Sequence, residues 1–421
     1  MAGLSELEIF LRDQATVGKI NSSGKFTLSQ EQALKKMAQF RLPRKEAWIL
    51  KVVQSAVASG AGPIKIHQLR NVTKVVYTPR KFWSIDEVKQ ALLTLDPLPD
   101  VALAHLRGAL WHVGMGMKRP FRLSFGGESP TLVWTGSRFQ DEPPGASSDT
   151  VMLQILHYSL DLSILDQWLQ GLRYWLPSWA LAKSVETHGD IAGELRMYGC
   201  ACSVPLSIDN RRVDGLHLCP THRSATSYPF TMGLCSLKEV PPLALPRSNS
   251  SLYGISILLV SERVGPPVHK ASAAMVLAFH VSPERTPQPR SSVFCWVLDG
   301  IIIDREKMSV ESSVSAVVFA SAAHLSTDLS GLSLIRGQEC SQCRAQVCRA
   351  LDGWLGGLKL ESEYFEIDGD GNIRLAEKYS TVTDEGYTKL ETLFSFPPKQ
   401  FQTDDFVGGL KALQKGWLGK K

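Results

Sequence analysis

Apolar residues recur at helical spacing between residues 45 and 59. Trp48, Val52 and Ala56 lie four positions apart, and each is followed by a second apolar residue. Such a double row forms one apolar stripe on a helix, and Gly60 is typical of a helix end. The pattern predicts an amphipathic helix over 45–59, whose opposite face, including Lys51, is solvated.

The following segments show strand and helix patterns in turn. Alternating apolar residues and a polar turn at Arg70-Asn71 predict a hairpin, and further apolar runs predict two helices and three strands. The hairpin strands are 64–67 and 72–77, the helices are 85–93 and 101–113, and the later strands are 121–125, 131–135 and 151–157. Helices beside a mixed sheet describe a two-layer α/β sandwich of the α+β class.

A Trp- and Leu-rich stretch at 162–195 predicts connector helices, and a second α/β region follows it. This region begins with a hairpin around Asp209-Asn210, and its apolar runs predict strands at 255–260, 274–281, 293–298, 301–303 and 314–320 and a helix at 340–355. We therefore expect a sandwich domain at 1–160, connector helices and a second α/β domain at 161–355, and a C-terminal extension at 356–421.

The composition is that of an ordinary globular protein. The 421 residues are 44% hydrophobic and 21% charged, which excludes a disordered, collagenous or coiled-coil chain. The net charge is +5, and residues 1–160 hold 20 Lys and Arg against 13 Asp and Glu. The first third is therefore basic, which permits an anionic partner without requiring one.

The sequence predicts a cytoplasmic location and no contact with a membrane. The longest apolar runs, such as 271–279 and 314–323, are shorter than the roughly 18 residues that a membrane span needs. Glu6 and Glu8 stand where a signal peptide carries basic residues. Eight cysteines in a chain of this length are too sparse for a disulfide scaffold, so we expect free thiols, core residues or metal ligands.

The predicted helix at 45–59 also carries a resemblance. The run from Ile49 to Ala61, leading into Ile64-Lys65-Ile66, resembles the first ATP-site helix and strand of the GHKL family, which includes gyrase, the ninety-kilodalton heat-shock chaperone, histidine kinases and mismatch-repair ATPases. The resemblance implies a two-layer α/β sandwich of GHKL (Bergerat) type followed by a second α/β domain, with residues 205–212 and 317–330 at the edges of that second domain.

The chemical groups of the family's ATP site are missing from this sequence. Lys51 stands at the position of the general-base glutamate, Ser55 at the magnesium-binding asparagine and Ala58 at the aspartate. The family's next motif falls near 78–83, where there is neither aspartate nor glycine, and Gly108 with Gly114-Met115-Gly116 only echoes the second glycine box.

The resemblance therefore implies a degenerate site with no catalytic residue. Lys51, Ser55 and Arg80 are the candidate nucleotide-pocket positions. Lys51 could hold a phosphate together with Arg80 and Lys81, so ATP binding without hydrolysis stays open. Hydrolysis needs a carboxylate to orient water and a metal ion to neutralise phosphate charge. The competing interpretation is that Lys51 is simply a solvated residue on the polar side of the helix.

Three function classes follow. The first is a catalytically degenerate, chaperone-like protein or scaffold that binds other proteins. The second is an ATP-binding or ATP-hydrolysing enzyme of GHKL type. The third is anion or nucleic-acid binding through the basic first third, against which stands the lack of an aromatic-basic motif such as an RNP box.

Cys200, Cys202, Cys219 and His222 form a candidate zinc site. Thiolate and imidazole are the ligands of tetrahedral zinc, and the hairpin between the two pairs could bring them together. The alternative is that Cys200 and Cys202, as alternating residues, lie on one face of a strand and belong to the core.

Overall fold

The structure is a computed structural model of the protein. It describes residues 41–94, 96–126, 130–143, 149–157, 178–216, 219, 227–235, 237, 240–244, 258–260, 270–280, 289–311, 314–357, 365–367 and 373–375. His222, the first part of the Trp- and Leu-rich stretch and nearly all of the C-terminal extension lie outside these residues.

The first part of the described chain combines helices with a sheet, as the apolar patterns predicted. The helices are α1 (Trp48–Ala58), α2 (Ile85–Leu93), α3 (Val101–Leu110) and α4 (Ser178–Tyr198), and a π-helical turn (Trp111–Gly116) continues α3. Helix α2 begins with a capping box, in which Ser84 and Glu87 each bond the other's backbone N–H.

The first sheet has eight strands in the order β5-β4-β3-β6-β2-β1-β7-β8. The strands are β1 (Ile64–Leu69), β2 (Val72–Tyr77), β3 (Phe121–Ser124), β4 (Thr131–Trp134), β5 (Phe139–Glu142), β6 (Val151–Leu156), β7 (Leu206–Ile208) and β8 (Arg211–Arg212). Strand β5, whose sequence is polar, was not expected from the apolar pattern.

The hairpin at 206–212 belongs to this first sheet. Strand β7 pairs in parallel with β1, and the backbone N–H of Ile64 donates to the carbonyl of Pro205. The sequence had placed this hairpin at the start of the second α/β region. The two halves are therefore linked by shared strand pairing, and the boundary between residues 160 and 161 stays a prediction.

The second sheet has six strands in the order β11-β9-β13-β16-β14-β15. The strands of this part of the chain are β9 (Ser227–Cys235), β10 (Leu243–Ala244), β11 (Leu258–Val260), β12 (Lys270–Ala271), β13 (Ala273–His280), β14 (Pro289–Leu298), β15 (Ile301–Glu311) and β16 (Val314–Ser321). Helix α5 (Gln338–Gly357) follows, and a small hairpin pairs β17 (Phe365–Ile367) with β18 (Ile373–Leu375). The architecture is α+β, as predicted.

Helix α1 is buried on every side from Trp48 to Ala56. Its apolar stripe joins the core, but the polar residues outside the stripe, Lys51, Gln54 and Ser55, are buried as well. The interpretation of Lys51 as a solvated residue is therefore wrong. The reason is that α3 and the β14–β15 hairpin pack against the side of α1 that the sequence pattern leaves polar.

A buried ion pair precedes the helix. Arg119 donates to both carboxylate oxygens of Glu46 at 2.7 and 2.8 Å, and the indole of Trp48 donates to the same carboxylate at 2.7 Å. Burial raises the pKa of Glu46, but the hydrogen bond and charge of Arg119 outweigh it and the pKa is lowered overall. The carboxylate is thus ionised, and its three hydrogen bonds tie the start of α1 to the segment that leads into β3.

Candidate functional site

The ammonium group of Lys51 lies between helix α3 and a loop that follows β16. Its Nζ is 2.7 Å from Nδ1 of His105 on α3. Gly108, one turn further along α3, lies against the lysine stem, where an added Cβ would be 3.6 Å from Cε. On the other side, a Cβ at Gly331 would be 3.0 Å from Nζ. Lys51 is therefore enclosed, with 4% of its surface exposed.

The second half of the chain supplies the next member of the site. Asp299 and Gly300 form the tight turn between β14 and β15, both with positive φ, which is the geometry that an Asp-Gly pair favours. Oδ2 of Asp299 is 2.9 Å from Nε2 of His105. Beside this contact, Gln54 donates through Nε2 to the carbonyl of Leu298 at 3.2 Å.

Lys51, His105 and Asp299 form one hydrogen-bonded series, which we call the buried triad. An ammonium group only donates hydrogen bonds, so Nδ1 of His105 accepts from Lys51. The ring proton of His105 is therefore on Nε2, which donates to Asp299. The imidazole is neutral and lies between a cation and an anion.

The electrostatics of the triad follow from this geometry. Burial lowers the pKa of Lys51 to about 8, while the negative charges of Asp299 and Asp328 act in the opposite direction. Burial also lowers the pKa of His105; the hydrogen bond with Asp299 opposes this shift and the positive charge of Lys51 adds to it. At neutral pH the triad therefore holds a charged lysine and an uncharged histidine.

The loop beyond β16 covers the lysine in an ordered conformation. The carboxylate of Asp328 accepts from the Ser330 hydroxyl at 2.7 and 2.8 Å, and the N–H of Gly331 donates to the Asp328 carbonyl at 2.9 Å. Gly331 has a φ of 64°, a conformation that glycine adopts without strain. These bonds fix Asp328 near Lys51, so its negative charge acts on the ammonium group although the two side chains are not hydrogen-bonded to each other in the described part of the chain.

The three candidate nucleotide-pocket positions do not form an open pocket: Lys51 and Ser55 are buried, and Arg80 lies apart from Lys51. Ser55 is completely buried, next to the hydroxyl of Tyr77 on β2. Arg80 lies over Gly60 at the other end of the helix, roughly 13 Å from Lys51 along the helix axis at 1.5 Å per residue. The structure therefore brings Lys51 and Ser55 to one side of α1, but it does not bring Arg80 to Lys51.

Two other motif positions, Trp83 and Gly114, have structural contacts, whereas Ala58 is exposed. Trp83 is buried and donates to Asp100 at 3.0 Å. A Cβ at Gly114 would be 2.7 Å from the ring of Phe121, so this glycine permits close packing of the π-helical turn on β3. A Cβ at Gly108 would make only an ordinary contact, 3.6 Å from Cε of Lys51.

The three described members of the candidate zinc site do not share one environment. Cys200, Cys202 and Cys219 are all buried, but Cys202 faces the core around α1 whereas Cys200 and Cys219 belong to the apolar cluster on the far side of the second sheet. The hydrogen bond with Cys219 and burial raise the pKa of Cys200, and burial raises that of Cys202 to about 12.

Among the described residues, no group of three or more His, Cys, Asp and Glu side chains is arranged to hold a metal ion. His222 lies outside them, so the four-ligand zinc site stays a prediction. Within the same part of the chain, no helix is both long and apolar enough to cross a bilayer.

Comparison with known proteins gives weak structural likenesses only to solved structures. No family model and no curated protein matches the sequence. Among solved structures, the B subunit of DNA gyrase from Myxococcus xanthus is similar over 76% of this chain and 93% of its own, with 11% identity and a TM-score of 0.38. A likeness at this level says nothing about activity, and membership of the GHKL family stays a prediction.

The sequence pattern did not identify His105 or Asp299 as partners of Lys51. His105 lies within a predicted helix, and Asp299-Gly300 is a recognisable turn signal between two apolar runs. Each local feature could be found, but a separation of 194 residues between His105 and Asp299 leaves no periodic signal that links them.

Proposed function

We propose that this protein works by binding other proteins, as a scaffold or chaperone-like component, and that it does not hydrolyse ATP. The observation that carries the proposal is the buried triad. Lys51 stands at the position where the GHKL resemblance requires a general base. Its ammonium group is bonded to His105 inside the protein, and His105 is bonded in turn to Asp299. A lysine held in this way cannot contact a phosphate unless the triad breaks.

The chemistry at the other motif positions agrees with this proposal. A buried Ser55 beside Tyr77 offers no open metal-binding group, and an exposed Ala58 offers no carboxylate. A general base commonly contributes roughly 10²–10⁴-fold to a rate, and loss of the metal ion also removes charge neutralisation. Turnover of ATP should therefore equal the uncatalysed background.

The test is a pair of measurements on the purified full-length protein. We expect no saturable binding of a fluorescent ATP analogue with magnesium up to about 1 mM, and no phosphate release above background. Lys51→Ala and the exposed Lys183→Ala serve as a matched pair, because each removes one lysine from a helix. Binding or turnover that is lost in Lys51→Ala and kept in Lys183→Ala would contradict the proposal and favour an ATP-dependent enzyme.

A further inference from the structure

The strands of the first sheet present two different faces. On β1, Ile64 and Ile66 are buried in the core, while the alternate residues Lys65 and His67 are exposed or half-buried. Because successive side chains of a strand point to opposite faces, Lys65 and His67 lie on the side away from the core. We call this side the outer face. It comprises Lys65, His67, Lys74, Val76, Arg122 and Met152, together with the residues opposite them on the adjacent strands.

The strand register places three basic residues of the outer face, His67, Lys74 and Arg122, in one row. His67 is opposite Lys74, Lys74 is opposite Gln154, and Gln154 is opposite Arg122. The row crosses four adjacent strands, and at about 4.8 Å per strand Lys74 and Arg122 are roughly 10 Å apart.

A second row, two residues along the strands, is apolar at its centre. Met152 is opposite Val76, and Val76 is opposite Lys65. All three are at least partly accessible to solvent. The outer face therefore combines a basic row with aliphatic side chains beside it.

The positive charge of the outer face is only partly neutralised by the protein itself. Arg122 pairs with Glu142 at the sheet edge at 3.1 Å. Within the described part of the chain, Lys65 and Lys74 form no ion pair. Exposed pairs such as that of Arg122 contribute little free energy, so a carboxylate of a partner can replace Glu142 at small cost.

We propose that the outer face binds an acidic amphipathic segment of a partner protein, whose carboxylates pair with Lys65, Lys74 and Arg122 and whose apolar side chains pack on Val76 and Met152. This inference rests on the proposed protein-binding function and names the surface and the class of partner. The aliphatic residues favour a peptide over a single-stranded nucleic acid, because nucleic-acid platforms of this kind stack bases on aromatic rings. The outer-face positions of the six described strands from β1 to β6 contain no Phe, Tyr or Trp.

The probe is a labelled helical peptide with Leu at one face and Glu at the other, compared with the same peptide carrying Lys in place of Glu and with oligothymidylate. We expect fluorescence anisotropy to show saturable binding of the Glu peptide to the wild-type protein, weakened by added salt. Lys65→Glu combined with Lys74→Glu should reduce the affinity at least tenfold. Met152→Gln, which keeps the charge, should reduce it several-fold.

The matched control is Lys183→Glu combined with Lys307→Glu, two exposed lysines on α4 and β15. This pair changes the net charge equally and should leave binding unchanged. The proposal is overturned by any of three results: no saturable binding of the Glu peptide up to about 1 mM, an equal loss in the control pair, or tighter binding of oligothymidylate. If the peptide does not bind and ATP does not bind either, only the proposal for this surface is refuted. If the protein hydrolyses ATP, the proposed function itself is refuted.

Discussion

At the scale of single residues, the buried triad is the least expected feature of the molecule. A lysine that loses solvent normally releases its proton or gains a counter-charge. Lys51 gains Asp299 through the neutral ring of His105, with Asp328 nearby. The lowered pKa of Lys51 means that its charge destabilises the folded state relative to a solvated lysine.

Replacing Asp299 by Asn tests this electrostatic description. Asn tolerates the left-handed backbone at this position, so the turn is kept while the charge is lost. We expect the free energy of unfolding at pH 7 to fall by about 1–3 kcal/mol, less than for a fully buried pair, because solvent screens the part of Asp299 that is exposed.

The pH dependence of that loss has a definite sign. Asp299 favours the charged form of Lys51, whose folded-state pKa is about 8, so the loss in Asp299→Asn is present below that pKa and disappears as the pH rises through it. Urea unfolding at about pH 7 and pH 10.5 measures both values. Asp209→Asn, at another left-handed aspartate in a hairpin turn, is the control; a loss that is independent of pH in Asp299→Asn would refute the description.

At the scale of elements, the tip of the β14–β15 hairpin is packed onto helix α1. Gly300 has a φ of 77°, and an added Cβ would lie 3.2 Å from the Cα of Cys202 and 3.2 Å from Cγ2 of Val57. The turn therefore needs glycine both for its backbone and for its close approach to the helix. This contact holds Asp299 in line with His105.

Gly300→Ala should weaken the contact between the hairpin and the helix. We expect a loss of about 1–3 kcal/mol in the free energy of unfolding, because the left-handed backbone and the tight contact act together. Gly62→Ala is the matched control, since a Cβ there meets nothing within 4 Å. Thermal unfolding of the two variants side by side decides the matter, and equal melting temperatures would show that the tip is not tightly packed.

At the scale of the whole molecule, one apolar core joins both halves. It includes Ile66 and Phe121 of the first sheet, helix α1, and Phe294 and Trp296 of the second sheet. The alternate residues of β14, such as Cys295, belong to the second cluster. Buried histidines also link distant elements: His157 lies within hydrogen-bond distance of Thr73 on β2 and of Ser184 on α4.

Acid should destabilise the whole molecule through these buried histidines. Burial, followed by the charge of His188, lowers the pKa of His157 to about 3, so the unfolded state binds more protons between about pH 6.5 and pH 3. Stability from this group is present above the unfolded pKa and is lost as the pH falls, by about 2 kcal/mol at pH 5. Urea unfolding between pH 7 and pH 5 should show a shallower slope for His157→Gln than for the exposed His324→Gln; equal slopes would contradict the assignment.

The elements themselves were accessible from the sequence. Some features depend only on residues that are close together in the sequence, so a local pattern is enough to detect them. They are the apolar stripe of α1, the capping box of α2 and the alternation in β1 and β2. The bounds of α2 agree with the prediction at both ends. Strand β5 was missed because its pairing with β4, and not an apolar pattern, makes it a strand.

What only the tertiary structure decided is where these elements meet. Whether Lys51 is solvated or buried depends on α3 and on the β14–β15 turn, which lies nearly 250 residues away along the chain. The placement of β7 beside β1 and the separation of Cys200 from Cys202 depend on long-range packing in the same way. Periodicity reports the environment that one element needs, whereas burial of a particular polar side chain is set by the element that packs against it, and a local pattern carries no record of that partner.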